Sequence, residues 1–129
     1  MDEMKSDFED MSKRGYEASL SVIKSIVPYI DGNELMGRKL SDYVQDIACA
    51  LAQKQISSRV TVLNESVMAE VAAKCCEVIV MLSYCRDLHG QFINAHLCEK
   101  LIETYRSIQK EMLVHHGDAH HLRMEGVGC

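Results

Sequence analysis

Apolar residues return every three or four positions along most of the chain. Before the corner Tyr84-Cys85-Arg86-Asp87-Leu88-His89-Gly90 they are Val67, Val71, Cys75, Val78, Leu82 and Cys85; after it they are Leu97, Leu101, Tyr105, Ile108 and Met112. This is the repeat of a helix with one buried side. Two such helices meeting at a corner cannot bury both stripes by themselves, so further helices must lie beside them. Upstream, Phe8, Met11, Ala18, Leu20, Ile23, Ile26 and Val27 mark a first helix, ended by Pro28 and the turn-prone Asp31-Gly32-Asn33. Leu40, Val44, Ile47, Ala48 and Leu51 mark the inner face of a second, with Lys39, Asp42, Gln45, Asp46 and Gln53 on its polar side. The short runs Ser21-Val22-Ile23 and Val78-Ile79-Val80 sit inside these helical patterns, so no strand is predicted.

The spacing predicts helices over about 7–27, 34–56, 64–87 and 94–115. They form one bundle domain over 1–116, followed by an aperiodic, flexible tail over 117–129. Asn64 and Asn94 are placed to cap the third and fourth helices, with Glu65 favourable in the first turn and Gly90 closing the third. The segment Val60-Thr61-Val62-Leu63 is either a short extended connector or a continuation of the helices on both sides. Short connections put successive helices antiparallel, which gives an all-α, up-down-up-down four-helix bundle. The third helix is apolar nearly all round: Glu70, Lys74 and Glu77 are its main polar groups, while Ala69, Ala73, Cys76, Val80 and Met81 spread beyond the inner arc. Such a helix needs protein on more than one side. A homo-oligomer is therefore expected, with Val67, Val71, Val78 and Leu82 as candidate interface residues.

Composition narrows the function classes. At 129 residues and 47% hydrophobic content the chain is one folded domain, and a single proline suits helices. The net charge of −5 means that any nucleic-acid contact must come from a local basic face, since the global field opposes it. The first residues are charged and no apolar run approaches the ~20 needed to cross a bilayer, so a cytoplasmic chain without membrane contact is expected, its six cysteines read as thiols. Cys75, Cys85 and Cys98 fit apolar stripes, where burial blunts reactivity. Cys75 and Cys76 diverge from the helix, which argues against a mutual disulfide or a shared metal. His115-His116 and His120-His121 are the metal-ligand candidates, yet adjacent histidines on a helix end diverge and nothing nearby completes a tetrahedral set. Arg86 with His89 and His96 lacks the short spacing of a helical nuclease, and Gly126-Val127-Gly128 is no phosphate loop. No metal, no cofactor and no enzymatic activity are expected.

Four pieces of the chain carry a resemblance: Tyr16-Glu17 in the first helix, Met36-Gly37-Arg38-Lys39-Leu40 opening the second, the corner Arg86-Asp87-Leu88-His89-Gly90, and the amphipathic stretch from Leu101 to Leu113. Together they span about 15–113. In these features the chain resembles the four-helix-bundle proteins of ribosomal RNA intervening sequences and their relatives, the accessory variability determinant (Avd) proteins of diversity-generating retroelements. The resemblance implies a non-catalytic homo-oligomeric barrel, commonly a pentamer. In the retroelement branch it further implies binding of the reverse transcriptase and template RNA. Basic groups would then contact phosphates, the candidates being Lys13, Arg14, Arg38, Lys39, Arg59, Lys74 and Arg86. The alternative is a homo-oligomeric helical scaffold or adaptor with protein partners only.

Overall fold

The computed structural model describes residues 2–30, 34–56, 62–88 and 92–120, with side chains described over 9–30, 35–53, 67–88 and 92–114. Among them the chain is all-helical, with α1 (Asp2–Ser25), a 3-10 turn (Val27–Tyr29), α2 (Glu34–Ile56), α3 (Val62–Leu88) and α4 (Ala95–His120). No strand occurs among the described residues.

The helix ends have local causes. Pro28 has no N–H to continue α1, and the chain tightens before it. The Tyr29 N–H donates to the Ile26 carbonyl at 3.0 Å and the Ile30 N–H to that of Val27 at 3.2 Å. At the far end, Asn94 caps α4. Its Oδ1 accepts from the Leu97 N–H at 3.1 Å while its carbonyl accepts from the Cys98 N–H at 3.0 Å. Other boundaries depart from expectation. Helix α1 starts at Asp2 and closes at Ser25, and α3 starts at Val62, so Asn64 lies inside a helix rather than capping one. Val62 and Leu63 thus belong to α3, while residues 57–61 lie outside the described set. Helix α4 runs on through Gly117 to His120, taking residues assigned above to the tail; residues 121–129 are not described.

Each helix packs on two others. Helix α1 lies against α2 and α4, and α3 lies against α2 and α4, leaving α1–α3 and α2–α4 as the diagonals. The core contains Met11, Val22 and Ile26 from α1 and its end, Leu40, Val44, Ile47 and Leu51 from α2, Cys75, Val78, Leu82 and Cys85 from α3, and Cys98, Tyr105, Ile108 and Met112 from α4. Ile93, two residues before α4, is buried with them. On α1 the buried row includes Val22 and leaves Leu20 and Ile23 half-exposed. Val22 lies four residues from both Ala18 and Ile26, on the buried line that includes Met11, whereas Leu20 and Ile23 lie to its side.

Two helical glycines mark close approaches of opposite character. A Cβ on Gly15 would lie 2.8 Å from Leu51 Cδ1, so α1 and α2 meet closely there, with Ile108 Cδ1 of α4 at 3.9 Å. At Gly37 the nearest atom would be Val27 Cγ1 at 3.6 Å, an ordinary contact. Gly37→Ala should therefore stabilise the fold by about 0.5–1 kcal/mol through helix propensity alone. Gly15→Val should destabilise it by about 1–3 kcal/mol through overpacking. Chemical denaturation of both variants checks the pair; shifts of the same sign would contradict this account of the packing.

Candidate functional site

Among the described residues, the outer side of α3 carries a row of exposed apolar side chains. Met68, Val71, Ala72, Cys75, Val78, Ile79, Leu82 and Cys85 point inward, as the arc facing α2 and α4. Directly opposite that arc, at helical spacing, stand Val80, Tyr84 and Leu88, which are 49%, 56% and 69% exposed. Ala69 and Ala73 extend the row toward the helix start, and the exposed Phe92 lies just beyond the corner. Glu70, Glu77 and Asp87 are the acidic groups on this side. The candidate interface set needs correction on this point. Val71, Val78 and Leu82 are buried in the chain's own core and have no surface to offer a second copy, and Val67 is only partly exposed. On α3 the large solvent-facing apolar residues among those described are instead Val80, Tyr84 and Leu88.

The basic candidates do not converge. Arg14 is a bridge between helices. Its Nε donates to Asp10 Oδ2 at 2.9 Å, its Nη1 to Ser107 Oγ at 3.0 Å and its Nη2 to Glu111 Oε2 at 2.6 Å. Lys74 Nζ donates to Asp46 Oδ2 at 3.2 Å across α2 and α3, and Arg86 Nε to Asp87 Oδ1 at 3.0 Å within the corner. That hydrogen bond, together with the Asp87 charge, raises the Arg86 pKa further above its ordinary value. Lys13, Arg38 and Lys39 are exposed, and no ion pair holds them among the described residues. Gly15 abuts Leu51 while Gly37 abuts Val27. Lys13 and the Arg38-Lys39 pair therefore sit toward opposite ends of the α1–α2 pair, ~20 Å apart at the helical rise per residue. Arg59 lies outside the described residues.

A shallow groove of about 660 Å³ runs along α1 and α2, lined by Glu9, Asp10, Ser12, Lys13, Tyr16, Ala48 and Ala52. Ala48 and Ala52, one turn apart on α2, contribute only small side chains to its lining. The mixed charges along its walls favour no one sign of ligand. Among the described residues no group of His, Cys, Asp and Glu is arranged to hold a metal ion. The side chains of His115, His116, His120 and His121 lie outside the described set. No helix is long and apolar enough to cross a membrane, among the residues described.

Buried polar groups in the core are chemically quiet. Among the described residues Cys49, Cys75, Cys85 and Cys98 are free thiols. Burial pushes the Cys75 thiol up to about 12. Burial, then the neighbouring Cys98, pushes Cys85 up to about 11, and burial likewise raises Cys98. The Tyr105 hydroxyl is buried without a hydrogen-bond partner among the described residues, and its pKa is raised by burial and then by Cys75. At the surface Tyr43 donates to Glu77, and that hydrogen bond is the chief cause of its raised pKa.

Comparison with protein families, curated proteins and solved structures finds no match.

The thiols give a direct check. At pH 8 a soluble disulfide reagent should modify exposed Cys49 quickly, while Cys75 and Cys85 react only after denaturant is added. Because their folded pKa values lie above the ordinary 9.0, the folded state holds protons that the unfolded state releases. Their contribution is thus full below about pH 9 and is lost as pH rises toward 11 and 12. Melting temperature should be insensitive to these groups at neutral pH and fall above pH 9; rapid native modification of Cys75 would contradict the burial.

Proposed function

We propose that the protein is a non-catalytic helical scaffold that acts as a homo-oligomer. The outward row Val80, Tyr84 and Leu88 on α3 carries this reading. Three large apolar side chains on one helix face lose water contact on association, at about 25 cal/mol for each Å² of apolar surface covered. The up-down-up-down arrangement is part of the proposal. It is supported by the pairs Tyr43–Glu77 and Asp46–Lys74, and Gly15–Leu51 and Val27–Gly37, whose numbers rise on one helix as they fall on the next. Protonated, buried thiols support a non-catalytic role. A pentameric barrel is the assembly the resemblance implies.

Light scattering coupled to size exclusion tests this. The wild-type protein should elute at a multiple of its 14.6 kDa chain mass, five-fold for the pentamer. Val80→Glu with Tyr84→Glu should reduce it to single-chain mass without loss of helical circular dichroism, since both side chains are exposed. A wild-type monomer, or a double variant that keeps its assembly, would count against the proposal.

The client we propose is the reverse transcriptase and template RNA of a diversity-generating retroelement, as the resemblance implies. Exposed Lys13, Arg38 and Lys39 support it, being available to phosphate without breaking an internal ion pair. Arg14, Lys74 and Arg86 would each have to give up a carboxylate first. Fluorescence anisotropy with a structured RNA over a salt series should show affinity falling steeply as counterions are released. Arg38→Glu with Lys39→Glu should abolish it. An absence of binding at low salt would leave a scaffold with protein partners only.

A further inference from the structure

The densest packing in the bundle lies within two pairs, α1 with α2 and α3 with α4. The seams that join one pair to the other are sparser, and the α1–α4 seam is the sparsest. Its chemistry explains why. The α1 row that contains Arg14 continues through Ala18, Ser21 and Ser25, with no large hydrophobe on it. The α4 row that receives Arg14 is Thr104, Ser107 and Glu111, all polar and half-exposed. Polar groups thus line both rims of this seam. The Arg14 guanidinium, with donors committed to Ser107 and Glu111 on α4 and to Asp10 on its own helix, is the one charged link across it among the described residues.

We infer that the bundle opens along the α1–α4 seam and that Arg14 is the clasp that holds it shut. Opening there separates polar rims that water can satisfy at once, whereas parting α1 from α2 or α3 from α4 would expose tightly packed apolar surface. The clasp is itself sensitive to conditions: the Arg14 and Glu111 side chains are 28% and 42% exposed, so added salt screens their attraction. Opening would uncover apolar core surface, to which the buried Met11 of α1 and Met112 of α4 belong.

Thiol labelling of the full chain tests the clasp. Ala18→Cys places a reporter at a buried position on the α1 side of the seam, and Cys85 serves as internal reference within the α3–α4 pair. Peptide mass spectrometry follows both. Residue 18 should be labelled faster than Cys85, with only a shallow dependence on denaturant, as expected for a sub-global opening. Adding Arg14→Met, which keeps the aliphatic stem, should raise the residue-18 rate about five-fold and leave Cys85 unchanged. Glu111→Gln and a salt series on the Ala18→Cys chain provide the same comparison should Arg14→Met fail to fold. Labelling of the two thiols at one common rate with one denaturant dependence would overturn the inference. So would a residue-18 rate indifferent to Glu111→Gln and to salt.

Discussion

Cys75 on α3 and Tyr105 on α4 have no exposed surface and lie close enough for Cys75 to add to the burial that raises the Tyr105 pKa. The closure of α2 and α4 over α3 around this point is the constraint on which the bundle depends. A helix apolar on nearly every side has no preferred face of its own; its neighbours decide which residues leave water. Here that choice buries Met68 through Cys85 at helical spacing, and each large aliphatic side chain fully buried contributes roughly 1.5–3 kcal/mol. The solvent-screened ion pair Arg86–Asp87 contributes little beside this. Apolar burial therefore holds the fold. It is strong enough to tolerate an unpartnered Tyr105 hydroxyl, whose desolvation costs about 1–3 kcal/mol.

Polar contacts have a different task. The ion pairs described between helices, Lys74–Asp46 and Arg14–Glu111, both join one helix pair to the other. Gln109 adds a bond of the same reach within the α3–α4 pair, donating its amide to the Ala72 carbonyl at 3.3 Å. Directional contacts of this kind favour one register of neighbouring helices over slipped alternatives that would bury similar area. The bundle thus separates the two roles. Packing supplies stability within the pairs, and charge sets how the pairs dock.

The order of helices and most of the inner faces were legible because periodicity is a local signal. Leu40, Val44, Ile47 and Leu51, or Leu101, Tyr105, Ile108 and Met112, announce a buried line at three- and four-residue spacing. Asn94 was legible as a cap for the same reason, since its partner lies three residues away. Other features depend on distant neighbours. The inner arc of α3 is legible, yet periodicity does not say which apolar residues of so uniformly apolar a helix stay in water; Val71, Val78 and Leu82, candidates for an interface on sequence, lie inside. Nor does any local pattern reveal that Arg14 meets Glu111, a partner 97 residues along the chain. Arg14 beside Lys13 reads as a basic cluster, yet the fold turns one into a bridge and leaves the other in water.

That division bears on what the surface can recognise. A phosphate-binding face needs cations that are close together and uncommitted, because each internal ion pair must be given up before an external one forms. Arg14, Lys74 and Arg86 are committed, and Lys13 stands far from Arg38 and Lys39, on a chain whose overall charge is −5. A face assembled from several copies changes this arithmetic, since a ring repeats Arg38 and Lys39 at regular intervals and multiplies weak contacts along one polymer. On the function proposed above, self-association through α3 would be the condition for nucleic-acid binding rather than a rival to it. The apolar row Val80, Tyr84 and Leu88 would then create a charged surface that the described residues of one chain do not assemble, and RNA affinity and assembly would be lost together.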